Sequence, residues 1–169
     1  MIEIKRKLKN FGPLEILVLG SLTYVVVMLI WTASTRAAVV QKANDIKNNH
    51  KVVVEFINGQ VNECSSNDKG KTLWGDNCNS TWSSSKIVSY ILSNIKLNNP
   101  YKINKPLIQS SQDPRIQAEG KAGQSTDKGI IFVSENNFES ESGSEWIIGT
   151  CVKSPCVAAG NNELVSVYR

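Results

Sequence analysis

The chain is poor in the residues that carry chemistry. It has one histidine, His50, in 169 residues. Nucleophilic catalysis of the Ser–His or Cys–His kind needs a histidine beside the nucleophile, and no G-x-S-x-G elbow supports one here. The four cysteines, at 64, 78, 151 and 156, include no CxxC pair and have irregular spacings. With a single imidazole to help them they do not form a zinc motif. The acidic stretch Glu135, Glu139, Glu141 and Glu145 matches no EF-hand spacing and reads as a solvated turn. The residues therefore imply no enzyme, no metal and no cofactor.

Charge is also missing where it would be informative. Residues 16–35 hold no charged side chain. Residues 1–10 carry Lys5, Arg6, Lys7, Lys9 and Glu3, a net of +3 out of +4 for the whole chain. The remaining 159 residues are thus almost neutral. A broad basic face for nucleic acid is excluded. A positive cytoplasmic flank to a membrane segment fits instead. Proline is absent from residues 14–63, so nothing there breaks a helix. No internal repeat is present.

What is there begins with FGPLEILVLGSLTYVVVMLIW, residues 11–31. Residues 14–35 span the ~20 positions that cross a hydrocarbon core, and Trp31 lies where an interfacial aromatic belongs. A cleaved secretory signal is the rival reading, with Ala33, Ala37 and Ala38 as its small residues. The apolar run is longer than the usual ~7–15 residues of such a signal. Within it stands one carboxylate, Glu15. A charge at membrane depth costs about 2.5–3.5 kcal/mol on the mildest scale, so it marks a functional site by default.

The helical pattern continues past the apolar run. Val39, Ala43, Ile46, His50, Val53, Ile57 and Val61 recur at steps of 4, 3, 4, 3, 4 and 4, one face of an amphipathic helix. On that stripe His50 reads as a packing residue. One helix of about 50 residues, roughly 75 Å long at 1.5 Å per residue, is the expectation. Four segments follow: a basic leader, 1–10; the membrane or assembly half of the helix, 11–35; its amphipathic half, 36–63; and an extracytoplasmic domain, 64–169. The cysteines all lie beyond the apolar run, which suits export and disulfides. Of three possible connectivities the sequential one, Cys64–Cys78 with Cys151–Cys156, closes two short polar loops. Trp74 and Trp82 flank the first loop and suit packing over its disulfide. Asn79-Ser80-Thr81 fits the glycosylation sequon, which an export route of bacterial type leaves unmodified.

A short helix starts at Ser83 or Ser84, with Ile87, Val88, Ile91, Leu92 and Ile95 as its buried face and Asn98-Asn99-Pro100 as its end. Residues 100–128 read as an irregular connector. Strand signals occupy 129–134, 145–152 and 163–168. Their spacing, with no helix between them, predicts an antiparallel meander. The fold class is α+β, with the long helix packed on a small antiparallel sheet and a cysteine-bounded loop near the C-terminus.

A basic leader, Phe11, Glu15 as the fifth residue from that Phe, and an apolar helix running into an amphipathic one together resemble the type IV pilins and pseudopilins. The likeness is best over residues 5–60 and architectural beyond. The loop bounded by Cys151 and Cys156 resembles the disulfide-bounded region of pilins. The resemblance implies a bacterial inner-membrane protein whose leader is cut by a prepilin peptidase between Asn10 and Phe11, with the new terminus methylated. It implies assembly with copies of itself into a surface filament, the Glu15 carboxylate pairing with the Phe11 amine, and partners in the assembly machinery. The family carries Gly where this chain has Asn10, and Gly12 and Pro13 replace a polar and a branched residue. A retained leader, or a cut after Gly12, are the variants those differences allow. A type II secretion pseudopilin and a single-pass anchored binding protein that never polymerises are the alternative functions.

Overall fold

A computed structural model describes residues 12–101, 105–119, 128–136 and 145–169. The chain divides into two compact units, Met1–Val40 and Gln41–Arg169. Helix α1, Pro13–Ser66, contributes to both. Its start matches the sequence: Gly12 precedes it, Pro13 occupies the first helical position, and the fixed φ of proline is already helical. No residue of the described part of the first unit is buried.

In the second unit α1 buries Ala43, Ile46, His50, Val53, Ile57, Gln60, Val61 and Cys64. They include every stripe position expected from the sequence apart from Val39, which is 39% exposed, and add Gln60 and Cys64. They pack into one core with Trp74, Trp82, Ile87, Ile91, Ile131, Val133, Trp146 and Ile148. Truncating a fully buried isoleucine such as Ile46 or Ile57 costs about 2–5 kcal/mol in cores of this kind.

The sheet orders its strands β1 (Ile108–Ser110), β2 (Ile131–Asn136), β3 (Glu145–Cys151) and β4 (Asn162–Tyr168). Strands β2, β3 and β4 pair antiparallel, with Val133 opposite Ile148 and Ile148 opposite Val165. The expectation of a wholly antiparallel sheet is corrected: β1 pairs with β2 in parallel, Ile108 opposite Ile131. A parallel neighbour needs a crossover, and the stretch read as irregular connector supplies it. That stretch contains β1 and helix α3, Pro114–Glu119. Asp113 starts α3, its Oδ1 accepting the Arg115 N–H at 3.1 Å, with Pro114 at the first helical position.

All seven residues of β3 are buried, because both faces of the sheet are covered. Trp146 and Ile148 join the α1 core, and the alternate residue Gly149 faces α3. A Cβ on Gly149 would lie 2.8 Å from the Pro114 carbonyl oxygen and 3.0 Å from Ala118 Cβ, so only glycine lets α3 approach this closely. Helix α2, Ser84–Asn94, buries Ile87, Val88 and Ile91. Leu92, expected on that face, is 47% exposed, and Ile95 is half-buried at the helix end. At 100° per residue Leu92 sits about 140° round from Ile87, outside the stripe.

His50 is 4% exposed and its Nε2 lies 3.1 Å from the Ile148 carbonyl oxygen of β3. A carbonyl only accepts, so Nε2 carries the proton and the ring serves as a neutral donor between helix and sheet. Burial lowers its pKa, opposed by the Ile148 bond and by Glu163, whose carboxylate lies 2.7 Å from Lys47 Nζ. A lowered folded-state value means the unfolded chain takes up the proton first. Stability is then fully present above the ordinary histidine value and falls as pH drops through it. Chemical denaturation followed by tryptophan fluorescence should show a midpoint that declines between about pH 7 and 5. His50→Gln, which keeps a donor for Ile148, should remove that decline; an unchanged slope in the variant would contradict the assignment.

Candidate functional site

Two places hold candidate functional groups, the start of α1 and the loop closed by Cys64–Cys78. At the start of α1, Glu15 Oε2 accepts the backbone N–H of Gly12 at 2.9 Å. Gly12 is the N-cap and Glu15 the third helical residue, so this is the glutamate half of a capping box. The carboxylate also sits at the positive end of the helix dipole, worth about 0.3–1 kcal/mol at an exposed site. Glu15 thus has a partner inside the chain. The bond between Asn10 and Phe11, and the Phe11 amine, lie outside the described residues.

Beyond Glu15 the helix is apolar on every side. Leu17 is 72% exposed and Trp31 64%, and the apolar segment contains a stretch long enough to cross a membrane with none of it buried. Its serine and threonine hydroxyls are satisfied without solvent. Ser21 donates to the Val18 carbonyl at 2.8 Å and Thr23 to the Leu19 carbonyl at 2.5 Å. Thr32, Ser34 and Thr35 donate to the carbonyls of Leu29, Trp31 and Thr32 at 2.9–3.0 Å. Every serine and threonine between Pro13 and Val40 therefore turns its proton onto its own helix. That is what a water-free surrounding demands of a polar side chain.

Cys64 bonds to Cys78, Cα atoms 5.1 Å apart, and Cys151 to Cys156, Cα atoms 5.2 Å apart. The first closure restricts the unfolded chain by about 3 kcal/mol for a loop of this length. It ties the last turns of α1 to a tightly bonded loop. Thr72 N–H donates to the Asp76 carbonyl at 2.8 Å, and the Asp76 N–H donates back to Thr72 Oγ1 at 3.0 Å. Gly75 makes this turn with φ +90, a conformation natural to glycine. Gln60, on α1, accepts the Leu73 N–H at 2.9 Å.

Asp76 is the electrostatic hinge of the loop. Its Oδ1 meets Lys86 Nζ at 2.5 Å and its Oδ2 accepts the Ser83 N–H at 3.0 Å. Burial works to raise its pKa, but the Lys86 and Ser83 hydrogen bonds and the Lys86 charge hold the carboxyl below the ordinary aspartate value. Ser83 is the N-cap of α2 and makes no side-chain cap bond; Asp76 satisfies the N–H of this N-cap residue, as the acidic partner of a capping box does.

Trp74 and Trp82 meet edge to face at 5.1 Å, both in the core with the disulfide, and Trp82 lies 6.0 Å from Trp146. The Arg169 guanidinium stacks over Trp82 at 4.3 Å. It donates to the Ser80 carbonyl at 2.7 Å and to the Cys78 carbonyl. The sequence gives no local sign of this clamp, because its partners are about ninety positions away. Asn79, of the sequon, is exposed.

The other candidates stay apart. Of the acidic stretch weighed for calcium, Glu139 and Glu141 lie outside the described residues. Glu145 is buried with its Oε2 3.4 Å from Arg115. No group of three or more His, Cys, Asp or Glu able to hold a metal occurs among the described residues. No family model, no curated protein and no solved structure matches the chain.

Replacing Glu15 separates its cap from its charge. Glu15→Gln keeps an acceptor for the Gly12 N–H, whereas Glu15→Val removes it. The Gly12 amide proton, followed by NMR in micelles, should stay slow to exchange in the Gln variant and exchange faster in the Val variant. Equal exchange in both would show that the capping bond does not form.

Proposed function

We propose that the chain is a structural subunit of a type IV pilus-like surface filament, held in a bacterial inner membrane and then assembled through its N-terminal helix. The observation that carries this reading is α1 itself: an all-round apolar half with self-satisfied serine and threonine hydroxyls, opened by Glu15, and a second half that docks on its own domain. Apolar surface of that extent on a soluble protein marks an interaction site or a membrane segment. In a membrane, lipid surrounds it. In a filament, the same surface of neighbouring copies does so, and close packing of helices excludes water from both.

Glu15 then has two successive duties. Before assembly it caps α1. After cleavage before Phe11 by a prepilin peptidase, the new amine would stand beside the same helix end, and Glu15 could neutralise it in its own or a neighbouring subunit. A carboxylate left unpaired in such a core is strongly unfavourable. The filament reading gives the protein no reaction of its own, and its partners are other copies, the membrane and the assembly machinery.

A second reading has its own support. The Gly12 N–H already satisfies Glu15 without any free amine. A single-pass anchored protein that keeps its leader, with Asn10 where the peptidase of pilins meets Gly, needs nothing more from that residue.

Intact mass of the protein purified from its own cells decides between them. The filament reading expects a species lacking residues 1–10 and carrying one added methyl group; retention of Met1 to Asn10 would leave only the anchored reading. In a strain making sheared filaments, Glu15→Gln and Glu15→Val should both reduce assembly at least tenfold, because both lack the charge. Normal filaments from the Gln variant would remove the charge pair from the account.

A further inference from the structure

Between the Cys64–Cys78 loop and α2 lies an open groove of about 620 Å³, within the ~300–1,000 Å³ of small-molecule sites. Leu73 and Trp74 line it from the loop, and Lys86, Ser89, Tyr90 and Asn94 from the helix. Nothing in the filament reading uses it.

Its lining is mixed in a particular way. Trp74 and Tyr90 are aromatic and share Phe56 as a packing partner, Tyr90 stacked on it at 5.8 Å and Trp74 tilted at 6.0 Å. Leu73 is exposed beside them. The polar members are hydroxyls, an amide and an ammonium. Ser89 Oγ and Tyr90 Oη bond to no other described residue, and Asn94 uses its amide nitrogen on the Tyr90 carbonyl, leaving its oxygen to accept. Lys86 is the one cation in the lining, and Asp76 at 2.5 Å already balances its charge while leaving two of its three N–H donors unused.

That balance argues against an anion as ligand. The exposed hydroxyls argue against a purely apolar one. A ring with one face of C–H groups and an edge of hydroxyls suits both halves of the lining, since C–H groups are attracted to the negative face of an aromatic ring. We propose that this groove binds a pyranose unit of a neutral glycan, its C–H face against Leu73 and the half-exposed ring of Tyr90, with the buried Trp74 backing that patch, and its hydroxyls on Ser89, Asn94, Lys86 and the Tyr90 hydroxyl. The site is held in place before any ligand arrives: the disulfide, the Thr72–Asp76 turn, the Gln60–Leu73 bond and the Asp76–Lys86 pair fix both walls. It stands whether or not the chain polymerises.

The test uses the isotope-labelled full chain in phosphocholine micelles, a detergent without a sugar headgroup. It is titrated by NMR with methyl mannoside, methyl galactoside and N-acetylglucosamine, and in parallel with sorbitol and inorganic phosphate. At least one pyranose should give saturable shifts at the amides of Leu73, Gly75 and Ser89, and sorbitol and phosphate should not. Ser89→Trp, at an exposed position, should abolish those shifts with the rest of the spectrum unchanged. Tyr90→Phe, which keeps the stack on Phe56, should weaken binding about two- to tenfold through the lost hydroxyl. No saturable shift with any pyranose, an equal response to sorbitol or phosphate, or shifts that persist in Ser89→Trp would overturn the proposal.

Discussion

A helix whose surface has to meet two different surroundings is the constraint on which the rest depends. Between Pro13 and Val40 α1 offers apolar side chains in every direction and none of the described residues of its unit covers them. From Gln41 it carries one apolar stripe, and the sheet, α2 and the disulfide loop are arranged to bury that stripe. The hydrophobic effect acts on both halves, but among the described residues only the second finds its partner. In the proposed reading, lipid or other copies cover the first half.

Polar groups follow the same division. In the apolar half the serine and threonine hydroxyls fold back onto their own helix, and the one carboxylate is bonded to the backbone at the helix start. In the docked half the polar groups are spent on long-range contacts instead. His50 reaches the Ile148 carbonyl, Gln60 reaches the Leu73 amide, and Lys47 reaches Glu163. The Lys47–Glu163 pair is partly exposed and worth about 0–1 kcal/mol, whereas the buried histidine bond is exposed to acid. Orientation of the helix on the sheet therefore rests on apolar packing, with His50 as its pH-sensitive polar pin.

Much of this was legible in the sequence, for a definite reason. The stripe from Ala43 to Val61 is long enough for periodicity to show, and its buried positions follow from it; β3 and β4 showed as strand signals, while the burial of all seven β3 residues comes from cover on both faces of the sheet. Strand β1 has three residues and α3 has six, too short for any period, so they were hidden in a polar connector. The Asp113-Pro114 pair was their readable signal, an N-cap followed by the residue that favours the first helical position. With β1 unseen, the parallel pair was unseen too, and the sheet looked wholly antiparallel. Glu15 was legible as a carboxylate in need of a partner, but the Gly12 N–H was not, since a glycine at an N-cap is a weak signal. Asp76, Lys86 and the clamp of Arg169 on Trp82 depend on the chain's path in space and leave no local trace. The groove between the loop and α2 has the same origin.

Whether water is excluded from the first half of α1 in the cell is the central claim, and a thiol probe addresses it most directly. Leu22→Cys places a single reactive group in the middle of the apolar segment, where Leu22 is exposed and all four native cysteines are bonded to one another. Intact cells or sheared filaments would be treated with a charged, water-soluble maleimide, and a parallel sample solubilised first in denaturing detergent. The account predicts labelling in the solubilised sample alone. Full labelling of Cys at position 22 in intact membranes and filaments would place that face in water and contradict it.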